Sequence, residues 1–180
     1  MGWRNVAAAM VLGAALGAPA AAEASASTTV SAEAGAAAVV RGSETGLPLP
    51  RYVSLRAGRA NLRRGPATSH RVDWVLTRRG MPLEITAEHG LWRRVRDADG
   101  ETGWLHHSLL RGDRTAMVTA ETLDLRAAAS EDAVVTARAE RGVILPIQTC
   151  IEDWCRLGAG RTAGWAPKAA IWGAAAHETF

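Results

Sequence analysis

Two short stretches of the chain place tryptophan close to basic side chains. Trp92 is followed by Arg94 and Arg96, and Trp104 is followed two residues later by His106. Indole rings stack on sugars and on extended peptides, and a neighbouring guanidinium adds cation–π attraction. These residues are therefore candidates for ligand contact rather than for catalysis.

Alternation along a strand indicates how these residues point. If Val95 and Leu105 face a core, then Trp92 and Trp104 face the other side. The turn signal at residues 98–101 brings the two runs next to each other, which predicts one shared aromatic surface flanked by arginines. Both tryptophans recur later in the chain, so a purely structural role for them stays open.

The two cysteines, Cys150 and Cys155, have no histidine or second cysteine pair beside them. In an exported chain such a pair predicts a disulfide rather than a zinc or redox site. His106 and His107 should lie on opposite strand faces, so we expect no metal there, and we expect no cofactor. The sequence contains no phosphate-binding loop, HExxH motif or nucleophile elbow, so we predict that the protein is not an enzyme.

Beyond residue 50, short β-type runs alternate with turn residues, and the pattern repeats with a period of about sixty residues. The matched segments are Asn61-Leu62-Arg63 with Asp124-Leu125-Arg126, Gly80 with Gly142, Trp92 with Trp154, Gly103-Trp104 with Gly164-Trp165, and Leu110 with Ile171. The same matching places Cys150 opposite Glu88 and Cys155 opposite Arg93. Two units of short strands in this length predict two small, strongly bent barrels.

Trp74 differs from the other tryptophans because its match in the second unit is Thr136, so the fold does not require an aromatic ring there. His70 falls in the long loop just before it. Both are therefore added to the ligand-binding candidates. A one-residue shift in the matching would instead place Trp74 in the core.

The segment Asn61–Ser69, then Gly80, Trp92-Arg93-Arg94-Val95 and Gly103-Trp104-Leu105 resembles the bacterial SH3 domain family in its exported proteobacterial branch. The second unit resembles it more loosely, because Ala127-Ala128-Ala129 replaces the Arg-Gly-Pro corner. The resemblance implies an all-β fold of two tandem SH3-like barrels. It also implies a module that binds cell wall or peptide, of the kind often attached to a separate catalytic domain of murein hydrolases.

The first 22 residues predict a signal peptide, with a short basic start, an apolar run at residues 6–16 and small residues for cleavage near Ala22 or Ala24. A retained anchor is the alternative. Residues 23–50 predict a disordered Ala/Ser-rich linker, residues 51–112 barrel 1, residues 113–173 barrel 2 and residues 174–180 a C-terminal tail. We therefore expect a periplasmic or secreted protein with no stable membrane insertion after cleavage.

Charge differs between the two units. Residues 51–114 carry 13 arginines and 7 acidic residues, whereas residues 115–180 carry 6 basic and 8 acidic residues. A basic first unit favours an anionic partner, and export makes nucleic acid an unsuitable one. The expected partners are peptidoglycan or a periplasmic protein or peptide, bound through the first barrel; a protein–protein adaptor without a cell-wall ligand is the alternative.

Overall fold

The computed structural model describes residues 39–180, so the predicted signal peptide and most of the predicted linker lie outside the described residues. The described part contains strands and short 3-10 helices and no α-helix. These strands form two antiparallel sheets of seven strands each. The predicted all-β fold of two tandem small barrels is confirmed for these residues.

Barrel 1 consists of β1 (Arg51–Leu55), β2 (Ala60–Arg63), β3 (Val72–Leu76), β4 (Pro82–His89), β5 (Trp92–Arg96), β6 (Thr102–His106) and β7 (Leu110–Arg111), with a 3-10 helix at His107–Leu109. Barrel 2 consists of β8 (Thr115–Val118), β9 (Thr122–Arg126), β10 (Val135–Glu140), β11 (Ile144–Ile151), β12 (Trp154–Leu157), β13 (Gly164–Pro167) and β14 (Ile171–Trp172), with 3-10 helices at Gly160–Thr162 and Lys168–Ala170. The strand order is β3-β2-β6-β5-β4-β1-β7 in barrel 1 and β10-β9-β13-β12-β11-β8-β14 in barrel 2. The two units are therefore true structural repeats.

Each barrel has its own apolar core. The core of barrel 1 contains Leu55, Leu62, Leu83, Val95 and Leu105, all at most 1% exposed. In barrel 2 the matched core positions include Leu125 and Leu157, and the buried disulfide adds to this core. The two-residue period predicted the inward positions of Val95 and Leu105 because every second residue of a strand faces the same side.

Two glycines recur because the backbones approach closely there. A Cβ atom at Gly103 would lie 2.9 Å from the Arg63 carbonyl oxygen, and one at Gly164 would lie 3.0 Å from the Arg126 carbonyl oxygen. Each glycine thus lets the sixth strand of its unit pass against the second strand.

The structure differs from the predicted linker at residues 41–50, here called the N-terminal strap. Gly42 and Leu47 form a backbone hydrogen bond of 2.9 Å, and Arg41 pairs with Pro48 in an isolated bridge. Leu49 packs against the core of barrel 1. Low hydrophobicity suggested disorder, but the strap is held by polar contacts with β4, which composition does not reveal.

The residues 174–180, predicted as a tail, contact barrel 2. The backbone of Phe180 exchanges two hydrogen bonds with Cys150, of 3.0 and 3.2 Å. The Lys168 ammonium donates to the carbonyl oxygens of Ala176 and Glu178 at 2.8 and 2.7 Å. The described C-terminal residues therefore pack on β11 and on the last 3-10 helix.

Candidate functional site

The outer face of β5 and β6 carries the basic and aromatic candidates, as the alternation predicted. Val95 and Leu105 are fully buried, while Trp92 and Trp104 are half-buried on the opposite face and Arg94 is exposed. The two strands pair across the turn at residues 98–101, with Trp92 opposite His106. The predicted orientation of these side chains is confirmed.

Trp92 and His106 lie together at one groove. Their rings contact edge to face with centroids 5.6 Å apart, and the groove has a volume of about 390 Å³. We call it groove 1; its polar and aromatic lining consists of Arg59, Asn61, Arg63, Thr68, Trp92 and His106. It contains two arginines and no carboxylate, so its charge favours an anionic ligand.

Trp104 does not share this groove. It lies opposite Arg94 and Arg63 in the strand pairing, and it lines a separate cleft of about 310 Å³ with Arg64, Asp73 and Arg94. The two tryptophans therefore form two adjacent surfaces rather than the single one we predicted. Trp92 is displaced diagonally from Trp104 along the strands, so its direct neighbour is His106.

Arg96 is occupied by contacts within the protein. Its guanidinium lies 2.5 Å from a carboxylate oxygen of Glu84 and 5.5 Å from the ring centroid of Trp172, which belongs to barrel 2. It lies apart from groove 1 and joins the two barrels. This placement favours a structural role for Arg96.

Trp74 lies in β3, at the end of the strand order of barrel 1. It is 52% exposed, and its indole N–H donates to Glu101 at 3.0 Å. The pairing of Trp74 with Leu62 makes Ala137 its match in barrel 2, because Ala137 pairs with Leu125. The match with Thr136 was wrong by one residue, since the missing residue of barrel 2 falls in the turn after β10 and not before it.

His70 is exposed in the loop before β3, and its carbonyl oxygen accepts a 2.7 Å hydrogen bond from Arg63. The ring of His107 lies 4.8 Å from that of His106, so these two histidines do not lie on opposite faces. The strand ends at His106 and a 3-10 helix begins at His107, which breaks the alternation. His106 Nδ1 is 2.8 Å from Ser108 Oγ.

Sequence reasoning missed a second groove, at the equivalent place in barrel 2. It has a volume of about 620 Å³, and Trp154 occupies the position that Trp92 has in groove 1. We call it groove 2; its charged and aromatic lining is Asp124, Arg126, Glu131, Asp132, Arg138 and Trp154. The recurring Trp154 was the available signal, but loss of the Arg-Gly-Pro corner suggested that barrel 2 had lost its surface.

The cysteines form the predicted disulfide, and the predicted match with barrel 1 is confirmed. Cys150 and Cys155 are bonded and lie directly opposite each other in β11 and β12. Glu88 and Arg93 lie opposite each other in the same way in β4 and β5, with Arg93 Nε 3.5 Å from Glu88 Oε1. An ion pair in barrel 1 thus takes the place of a covalent bond in barrel 2.

Glu88 also holds the N-terminal strap. Its buried carboxylate accepts from the Arg51 guanidinium at 2.6 Å, from the Thr45 hydroxyl at 2.7 Å and from the backbone N–H groups of Glu44 and Thr45 at 3.0 and 2.9 Å. Burial alone would raise the pKa of Glu88, but the hydrogen bonds from Thr45 and Arg51 outweigh it and lower the pKa to about 2. Glu88 is therefore an ionised anchor of the fold.

Within residues 39–180, no group of three or more His, Cys, Asp or Glu side chains is arranged to hold a metal ion. In the same range, no helix has the length and apolar character needed to cross a membrane.

Comparison with solved structures gives weak matches. Among solved structures, NlpC2 from Trichomonas vaginalis is 12% identical with a TM-score of 0.32, covering 68% of this chain and 48% of its own. NlpC1 from the same organism is 11% identical with a TM-score of 0.33, covering 73% and 48%. The chain thus spans about half the length of these two proteins, and at these scores the likeness carries no argument.

No curated protein matches the sequence. The family model described as bacterial SH3 domain matches twice, at residues 56–112 and 119–173. These segments cover more than half of the chain and coincide with the two repeated sheets. The chain belongs to the bacterial SH3 domain family.

Proposed function

We propose that this protein is a non-catalytic binding module of the cell envelope that recognises peptidoglycan through groove 1. The observation that carries the proposal is the half-buried Trp92 in a groove that two arginines, Arg59 and Arg63, line without any carboxylate. Peptidoglycan offers sugar faces for the indole ring and peptide carboxylates for the guanidinium groups. A periplasmic or secreted location, after cleavage near Ala22 or Ala24, agrees with the disulfide.

Trp104 and Arg94 extend this surface. They line the neighbouring cleft on the same face of β5 and β6. Two adjacent aromatic clefts suit a polymer better than a single small molecule, because successive units contact successive rings. Trp74 and His70 line neither cleft, so we expect them to contribute less to binding than Trp92 and Trp104 do.

The test is co-sedimentation of the mature protein with purified sacculi, using the matched pair Trp92→Ala and Trp154→Ala. We expect Trp92→Ala to weaken pelleting about ten-fold, as when one aromatic anchor of about 1–2 kcal/mol is lost. Trp154→Ala changes the equivalent residue of barrel 2 and should leave pelleting unchanged. Circular dichroism of both variants checks that they are folded.

Salt separates the contributions of the charged and aromatic groups. Exposed guanidinium–carboxylate contacts are screened over a distance of about 8 Å at physiological ionic strength. Pelleting should therefore fall steeply with salt, and Arg63→Gln should flatten that dependence. Equal pelleting of all variants at all salt concentrations would exclude groove 1.

The second candidate is an adaptor that binds an extended segment of another envelope protein. The observation that favours it is β3, which ends the strand order of barrel 1 and exposes 52% of Trp74 and 39% of Val75. An unpaired strand edge accepts an added strand through backbone hydrogen bonds. No pelleting with sacculi, together with capture of one specific envelope protein that Trp74→Ala abolishes, would support the adaptor instead.

A further inference from the structure

Groove 2 has no role in the function proposed above. It is larger than groove 1, at about 620 Å³ against about 390 Å³, and it keeps a half-buried tryptophan in the same place. A fold that needed the ring only for packing would not need an open groove beside it.

The loops that border the two grooves are held by the same hydrogen bonds to the backbone. Arg63 Nη1 donates to the carbonyl oxygen of His70 at 2.7 Å, and Arg126 Nη1 donates to that of Ala133 at 2.9 Å. The loops between these residues form the same backbone hydrogen bonds, such as Arg64 to Arg71 and Ala127 to Val134. The loop of barrel 2 thus keeps its shape without the Arg-Gly-Pro corner, and the grooves differ only in their side chains.

Those side chains reverse the charge. Asn61 of groove 1 is matched by Asp124, since each directly precedes the buried leucine of its strand. In the loop before β10, Glu131 occupies the position that Thr68 has in the loop before β3, and Asp132 occupies the position of Ser69. Groove 1 has two arginines and no carboxylate, whereas groove 2 has three carboxylates and two arginines.

Two of the three carboxylates of groove 2 form no ion pair within residues 39–180 and can therefore bind a cationic ligand. Asp124 is held by Arg138 at 2.7 Å. The side chains of Glu131 and Asp132 are exposed and form no ion pair with any described residue of the chain. The groove that Trp154 lines therefore carries negative charge that is unpaired within the described part of the chain.

We propose that groove 2 binds an extended peptide segment that carries arginine or lysine, supplied by another protein. The cationic group of the peptide pairs with Glu131 and Asp132 at the rim, and the adjoining apolar part packs on Trp154 and Pro167. Pro167 replaces His106 of groove 1 and makes this end of groove 2 apolar. The two barrels then bind ligands of opposite charge, and the protein joins an anionic partner to a cationic one.

The test uses two capped peptides, acetyl-Ala-Arg-Ala-Arg-Ala-amide and acetyl-Ala-Glu-Ala-Glu-Ala-amide, added to the ¹⁵N-labelled mature protein. The indole N–H signals of Trp92 and Trp154 in NMR spectra report on the two grooves separately, and Trp92→Phe and Trp154→Phe assign them. We expect the arginine peptide to shift the Trp154 signal and to leave the Trp92 signal in place. Sodium chloride should weaken this binding because the contacts are exposed ion pairs.

The double variant Glu131→Gln, Asp132→Asn should weaken binding of the arginine peptide about five-fold, the effect of losing two exposed ion pairs. Glu152→Gln, at the exposed tip of the β11–β12 hairpin, removes one charge outside groove 2 and should have no effect. The proposal is overturned if the arginine peptide does not shift the indole N–H signal of Trp154, or if both peptides shift that signal equally. It is also overturned if the double variant binds the arginine peptide as tightly as the unchanged protein does. None of these outcomes depends on whether barrel 1 binds sacculi.

Discussion

Glu88 shows how one carboxylate can take over the role of a covalent bond. Its side chain is fully buried, and it receives hydrogen bonds from β1 and from the N-terminal strap. The equivalent position in barrel 2 is Cys150, whose backbone bonds to Phe180 instead. In both barrels the end of the long central hairpin therefore fixes an extra segment of chain.

The pKa of Glu88 gives a pH-dependent prediction. Because its pKa in the folded protein, about 2, lies below the ordinary value of 4.5, Glu88 contributes stability that is fully present above about pH 4.5. That contribution is lost as the pH falls from about 4.5 to about 2. Glu88→Gln should cost about 2 kcal/mol of unfolding free energy at neutral pH, since four charge-assisted hydrogen bonds are weakened.

Urea denaturation of the protein and of Glu88→Gln across this pH range measures the effect. Other carboxylates titrate in both proteins, so the difference between the two curves isolates Glu88. That difference should be constant above pH 4.5 and shrink toward pH 2. A difference that does not change with pH would show that Glu88 is not held ionised by these contacts.

At the scale of single elements, the β11–β12 hairpin allows a prediction about the disulfide. The bond between Cys150 and Cys155 closes a short loop, with a sequence separation of 5. Such a loop removes little unfolded-chain entropy, so Cys150→Ser with Cys155→Ser should cost about 2 kcal/mol and leave both barrels folded. Reduction of the unchanged protein should give the same loss, measured by thermal or denaturant unfolding.

The bond has a further local effect that the same samples reveal. Phe180 pairs with the backbone of Cys150, so loss of the bond should speed proteolysis of the C-terminal residues by carboxypeptidase. Barrel 1 lacks cysteine, and an endoprotease should cleave its strap at an unchanged rate. A loss of all structure on reduction would contradict this assignment of the disulfide to one hairpin.

Strands, turns and inward positions could be predicted from the sequence because alternation and turn residues are local properties. Val95 and Leu105 were placed correctly in this way. The strap could not be predicted, and groove 2 was missed despite the recurring Trp154, because both depend on pairs far apart in the chain. Glu88 and Arg51 are separated by 37 residues, and the carboxylates of groove 2 look like ordinary solvated charges until Trp154 is placed beside them.

At the scale of the whole molecule, the two barrels contact each other through a small set of side chains. Trp172 of barrel 2 packs edge to face on Tyr52 of barrel 1 with ring centroids 5.2 Å apart, and its indole N–H donates to the Pro82 carbonyl oxygen at 3.3 Å. Thr115 donates to the Gly80 carbonyl oxygen at 2.7 Å and is itself buried. If the two grooves bind different partners, this contact holds those partners at a fixed separation.

Tyr52 reports on that contact because it is the only tyrosine of the chain. Burial raises the pKa of Tyr52 to about 12 from the ordinary value of 10.0, and the nearby carboxylate of Glu84 adds to the rise. Since the folded protein favours the neutral phenol, the contribution of Tyr52 to stability is complete below pH 10 and is lost as the pH rises toward about 12. Near-ultraviolet absorbance should therefore show little phenolate at pH 10 to 11 in the folded protein, but much more in denaturant.

Trp172→Ala should uncover Tyr52 and return its titration toward pH 10, while lowering the unfolding free energy by about 2–3 kcal/mol for a partly buried tryptophan. Trp74→Ala removes an exposed ring of barrel 1 that lies away from Tyr52, and it should leave the titration where it was. Both barrels keep their own cores in Trp172→Ala, so circular dichroism should remain that of a folded β protein. If the tyrosine of the unchanged protein titrates near pH 10, or if Trp172→Ala does not shift it, then the barrels do not hold each other through this contact in solution.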